Sequence, residues 1–205
     1  MSTAHVPGLI TVEQFFDMDF EEPVELVRGK VVPKYRWREQ YSSQAYGSVC
    51  TRITSALMKW ADAGLHGQVV IAFDQNISVV DSDMTVRVDV AFFPNSVLTD
   101  GQFDSDCLPV IPSVCVMVFH PDDCFAAVMD RFHSLLSAGV KEVWLVDISS
   151  RLISVNRPHR DMGHWSEDST IKSSYLPGFE VPLQDFFAGI KRPAPDSYSP
   201  TSSHC

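Results

Sequence analysis

Ser113-Val-Cys-Val-Met-Val-Phe119 is apolar almost throughout. A short run without polar alternation suits a strand covered on both faces, which places it at the centre of a sheet. Asp122 or Asp123 then caps a helix to about Ser137, with Phe125, Val128, Met129, Phe132, Leu135 and Leu136 at helical spacing on its inward side. Ala138-Gly139 ends the helix, Glu142 to Asp147 reads as another buried strand, and Leu152 to Asn156 pairs with it as a hairpin. The expected fold is therefore α/β, a central mixed β-sheet flanked by helices.

Working outward, Val86 to Phe93 alternates as a strand, with Val86, Val88, Val90 and Phe92 on one face and Arg87, Asp89, Ala91 and Phe93 on the other. Val69 to Val80 is a preceding strand. Tyr41 to Ala63 is a long amphipathic helix in which Val49, Ile53, Ala56, Leu57 and Trp60 recur at helical spacing. Nearer the start, Val24 to Val27 and Lys30 to Val32 flank Arg28-Gly29 as a hairpin, and Thr11 and Gln14 have capping-box spacing for a short helix. On the other side, Trp165 and Ile171 mark weaker strands and Leu183 to Phe187 a closing helix. Residues 1–10 are expected to be an N-terminal segment, 11–188 the folded domain, and 189–205 a disordered tail rich in Pro and Ser.

The chain has 205 residues, 45% hydrophobic and 20% charged, enough for one domain with a real core. No apolar run approaches the roughly 18 residues of a membrane span, and the first ten residues do not read as a secretory signal. The five cysteines show no C-x-x-C spacing, which argues against a structural zinc site and suits a reducing cytoplasm. Cys115, inside an apolar run, reads as a core residue. The formal net charge of −10 disfavours nucleic-acid binding through the whole surface. DNA contact would need a local patch, and Arg28, Lys30, Lys34, Arg36 and Arg38, interleaved with Tyr35 and Trp37, offer one. Trp60 and Trp144 are expected in the core, and His159 and His164 have no acid or nucleophile at useful spacing.

Several phrases occur in a recognisable order: Thr11-Val-Glu-Gln-Phe-Phe16, Val24-Glu-Leu-Val-Arg-Gly-Lys-Val-Val32, Val86-Arg-Val-Asp-Val-Ala-Phe-Phe93, Ala138-Gly-Val-Lys-Glu-Val-Trp-Leu-Val-Asp147 and Leu176-Pro-Gly-Phe-Glu-Val-Pro-Leu183. Together they resemble the bacterial Uma-two family of putative restriction endonucleases, within the PD-(D/E)XK nuclease superfamily. The resemblance implies a restriction-endonuclease-like fold and hydrolysis of DNA phosphodiesters with magnesium. The metal would be held by an Asp and a Glu on neighbouring strands, with a Lys beside the attacking water and a further Glu from the N-terminal region. Magnesium is a hard cation that wants carboxylate oxygens, which explains the residue types.

Carried over position by position, the resemblance is uneven. Glu25 falls at the N-terminal Glu and Asp89 at the Asp, with Val88 where Pro is usual. Met117 stands at the Glu position and Arg131 at the Lys position; Leu135 replaces an expected Tyr, and Tyr46 an expected His. A thioether does not serve magnesium, and a guanidinium cannot share a lysine's acid–base role. The chain is therefore expected not to cleave and not to bind the family's Mg2+, with Arg131 paired to Asp89 or Glu25 in place of the metal. One alternative is an active endonuclease in which His120, Asp122 or Asp123 joins Asp89 as a substitute ligand. Another is a partner-binding module, with a homodimer expected and no nucleic-acid role.

Overall fold

The computed structural model describes residues 9–21, 24–27, 29–33, 43–71, 88–98, 110–119, 125–158 and 163–191. In chain order the elements are α1 (Val12–Phe16), β1 (Val24–Val27), β2 (Lys30–Pro33), α2 (Ser43–Gly64), β3 (Gly67–Ile71), β4 (Val90–Pro94), β5 (Val114–Phe119), α3 (Phe125–Ser137), β6 (Glu142–Asp147), β7 (Leu152–Asn156), β8 (Gly163–Ser166), β9 (Thr170–Ser173), β10 (Leu176–Pro182) and α4 (Leu183–Phe186). The main sheet has six strands in the order β3-β4-β5-β6-β7-β8. β5 and β6 are parallel and α3 is the crossover between them; the other neighbours are antiparallel. Expected and observed fold agree: α/β, mixed, with helices against the sheet.

The apolar run at Ser113 becomes central because each face of β5 meets a helix layer. Val114, Val116 and Val118 turn towards α2, whose Val49, Cys50, Ile53, Leu57 and Ala61 form its buried stripe. Phe179 of β10 and Phe186 and Phe187 at α4 extend this layer over Trp144, Ile153 and Val155. Cys115 and Met117 turn the other way, into a cluster with Val128, Phe132 and Leu135 of α3. Burying a side chain of this size contributes roughly 1.5–3 kcal/mol, so alternate residues of one strand anchor both layers.

Local signals operate as their chemistry dictates. Thr11 and Gln14 make the reciprocal capping box, backbone N–H to side-chain oxygen in each direction at 2.9 and 3.3 Å. Gly29 turns the β1–β2 hairpin at φ 71°, a conformation open to glycine. Gly67 has a different reason: a Cβ there would lie 2.1 Å from the Phe93 carbonyl oxygen, so only glycine lets β3 start against β4.

Two polar clusters tie the far strands together. Glu142, 0% exposed at the start of β6, accepts hydrogen bonds from Trp144 Nε1 at 2.6 Å and from Arg157 Nε at 2.6 Å. Arg151, in the β6–β7 turn with φ 53°, donates to the Glu167 carboxylate and to the Ile190 carbonyl, clasping the residues after α4 to the sheet.

Several expectations need adjustment. The strand expected from Val69 is described only to Ile71, and residues 72–87 lie outside the described part. β10 was not anticipated; Pro177, Gly178 and Pro182 are residue types that strand interiors disfavour. It forms as half of a two-stranded ribbon with β9, with a register shift between Leu176 and Glu180, and an edge strand tolerates proline. Of the expected tail 189–205, residues 189–191 are described and Ile190 packs against the α2-side core, while 192–205 lie outside the described residues. Among the described residues, no helix is long and apolar enough to cross a membrane.

Candidate functional site

The strand carrying Asp89 does not alternate as its sequence suggests. Val90 and Phe92 do face α2, and Ala91 and Phe93 face α3, but Val88 packs with Ala91 and Phe93. Two residues apart in a regular strand share a face, so the chain turns over at Asp89, where it bends. The register of Val90 opposite Val116 would otherwise continue to Val88 opposite Val118. Instead the Asp89 carboxylate enters that position: Oδ2 accepts the Val118 N–H at 2.6 Å, while Asp89 N–H donates to the Val116 carbonyl at 2.9 Å. The aspartate side chain thus does the work of a missing ladder carbonyl.

The other oxygen is engaged as well. Tyr46, on the first turns of α2, packs its half-buried ring against the α2-side core and donates its phenolic O–H to Asp89 Oδ1. Asp89 is 9% exposed. Its two oxygens are held by donors from different elements, a backbone N–H of β5 and a side chain of α2, and hydrogen bonds to an ionised acceptor are the strong ones.

Met117 neighbours Val118 on β5, is 3% exposed, and packs with the α3-side apolar cluster. Arg131 of α3 is 4% exposed, so its guanidinium is not turned into solvent. Glu25 sits on β1 opposite Val32, but its side chain is outside the described residues. So are His120, Asp122 and Asp123, and of the basic segment Arg28, Lys34, Arg36 and Arg38; Lys30 is described and exposed.

Among the described residues, no group of three or more His, Cys, Asp or Glu side chains could hold a metal ion. The family-position donors within that set are one engaged carboxylate, one thioether and one guanidinium. Magnesium keeps near-octahedral oxygen coordination and is held through carboxylates, so this set does not fit it.

Features elsewhere are of other kinds. Across the β7–β8 ladder from His164 stands Ser154, with Oγ 2.8 Å from Nδ1, so His164 does have a hydroxyl in reach, contrary to its reading in the sequence. Both groups lie on the outer strands, and no acid orients the imidazole among the described residues. A groove of about 580 Å³ between α2 and β10 is lined by Arg52, Lys59, Trp60, Phe179, Glu180 and Asp185 among others, and includes none of the family positions. Trp60 anchors its floor, donating from Nε1 to the Pro177 carbonyl at 2.9 Å. Burial pushes the Cys115 thiol well above the ordinary thiol range, which suits a core residue rather than a nucleophile.

Sequence reasoning registered Tyr46 only as a departure from an expected His, without giving it a role. It missed the Glu142–Arg157 pair, although a signal existed: continuing the register of Val143 opposite Asn156 by one residue puts Glu142 opposite Arg157.

No curated protein matches the chain. Among solved structures, it is similar to one described as "a putative nuclease belonging to DUF820" from Anabaena variabilis ATCC 29413, with a TM-score of 0.70 and 16% identity over 87% of this chain and 97% of that one. At that identity the likeness speaks for the fold. The ordered phrases carry the comparison further, because residues 12–193 match the Uma2 family, described as "Putative restriction endonuclease", and the chain belongs to that family.

Proposed function

We propose that this chain is a non-cleaving relative of metal-dependent DNA endonucleases, keeping the family's fold without its hydrolytic site. The observation that carries this reading is Met117. At the position of the second acid it is 3% exposed and packed among apolar side chains, so no hard-cation ligand stands there. Arg131 supports it. Its buried guanidinium is a cation, and in this reading it balances Asp89 or Glu25 in place of a divalent cation.

Calorimetric titration of the full chain with Mn2+, alongside nicking of supercoiled plasmid in Mg2+, tests the proposal. No saturable binding and no nicking above background are expected. Saturable binding that Asp89→Ala abolishes would overturn it and favour the active enzyme with migrated ligands.

Retained DNA contact through Arg28 to Arg38 is a separable part of the proposal. It expects weak, salt-dependent binding that is lost in the Arg36→Ala, Arg38→Ala variant. Binding absent at low salt would leave the partner-binding module, which the net charge of −10 favours.

A further inference from the structure

We propose that Tyr46 is a lock on Asp89: its hydroxyl occupies the carboxylate in place of a metal ion, and it excludes metal independently of Met117 and Arg131. The inference rests on the non-cleaving reading and adds a third, unassigned residue to it.

The geometry makes the argument. A carboxylate offers about four acceptor positions over its two oxygens. For Asp89, the β5 backbone takes one through Val118 N–H at 2.6 Å, and that bond is needed to close the strand end. The other oxygen is Oδ1, and it accepts the Tyr46 O–H from α2. Tyr46 is not a loosely placed side chain. Its ring is packed against the same core as Val49 and Ile53 one and two turns further along the helix, so withdrawing the hydroxyl means repacking the start of α2. Bonded to Oδ1, the phenolic O–H takes up acceptor capacity that a cation on that oxygen would draw on.

Restoring the two substituted positions alone therefore leaves Tyr46 bonded to the aspartate. In the full chain, Met117→Glu with Arg131→Lys is expected to bind Mn2+ weakly when Tyr46 is present. Adding Tyr46→Phe, which removes the hydroxyl and keeps the ring, should tighten binding about 10- to 100-fold, the range for freeing an ionised acceptor from one hydrogen bond. A purely structural tyrosine would lower stability without tightening metal binding. Equal affinities in the two backgrounds, or no binding in either folded variant, would overturn the lock. Mn2+ binding by the native chain would instead overturn the non-cleaving reading, so the two failures are distinct.

Met117→Glu enters an apolar cluster. Should its carriers fail to fold, Tyr46→Phe, Asp89→Ala and their combination decide in the otherwise native chain. The Tm loss from Tyr46→Phe should vanish once Asp89 is gone; an equal loss with and without Asp89 overturns the proposal.

Discussion

Replacing Arg157 by Met should destabilise the fold more than replacing Glu142 by Gln, although the two residues form one ion pair. Glu142 is 0% exposed at its side chain and Arg157 14%, with Nε 2.6 Å from Oε2. Arg157→Met leaves a buried carboxylate held by the Trp144 indole alone. Stranding a buried charge costs roughly 3–5 kcal/mol, and the partial exposure of Arg157 lowers that to about 2–4. At about 2–4 °C per kcal/mol for a chain of this size, Tm should fall by about 4–16 °C. Glu142→Gln keeps an oxygen for the indole and removes the charge, so it should cost only about 1–2 kcal/mol. Because the carboxylate is the source of the damage, the double variant should be more stable than Arg157→Met alone. Urea unfolding followed by Trp fluorescence, with Trp144 beside the pair, measures all three. An Arg157→Met change of less than about 0.5 kcal/mol, or additive effects in the double variant, would refute the assignment of a paired buried charge.

Cys115 should resist thiol reagents in the native state at pH 8 and react once urea exposes it, read by peptide mapping after labelling. Its raised pKa also has a sign. The neutral thiol's contribution is fully present below the unfolded thiol value of about 8.5 and falls as pH rises above it, by at most about 1.4 kcal/mol per pH unit. Cys115→Ala should therefore show a shallower loss of stability from pH 8.5 to 10 than the native chain. Gly67→Ala places a methyl against the Phe93 carbonyl and should cost about 1–3 kcal/mol or more, seen as a lowered urea midpoint with unchanged slope. Arg151→Ala should release the segment after α4 from the sheet. Limited proteolysis there should accelerate, while global Tm falls by only a few degrees, about 1–3 kcal/mol for lost charged hydrogen bonds.

The elements that stand out in the sequence are those whose pattern is local and strong. The periodicity of Val49, Ile53 and Leu57 marks α2, and the unbroken apolar runs mark β5 and β6. What escaped depends on contacts between distant residues. β10 hides behind Pro177 and Gly178 because its backbone bonds are made to β9 and to Trp60, whose demands a propensity scale does not contain. The reversal at Asp89 cannot be seen in Val86-Arg-Val-Asp-Val, because alternation is assumed until a partner strand ends it. The family positions could be assigned by resemblance. What occupies Asp89 could not, since the link to Tyr46 crosses forty-three positions of chain. In the sequence, Tyr46 stood out only as a replacement for an expected His.

The main sheet is laid down in chain order, each strand beside the one that follows it, and this bears on how the molecule assembles. Bringing two segments together costs entropy that grows slowly with the length of chain between them, so nucleation favours the tightest connection, the β6–β7 hairpin closed by the turn at Arg151. β5 and α3 can add from one side and β8 from the other, each step extending an existing edge. Asp89 meets Val118 only when β4 docks, and meets Tyr46 only when α2 lies down across the finished sheet. The site thus belongs to the slow, long-range end of folding. Substitutions there should act chiefly on the rate of unfolding, leaving the rate at which the sheet forms almost untouched.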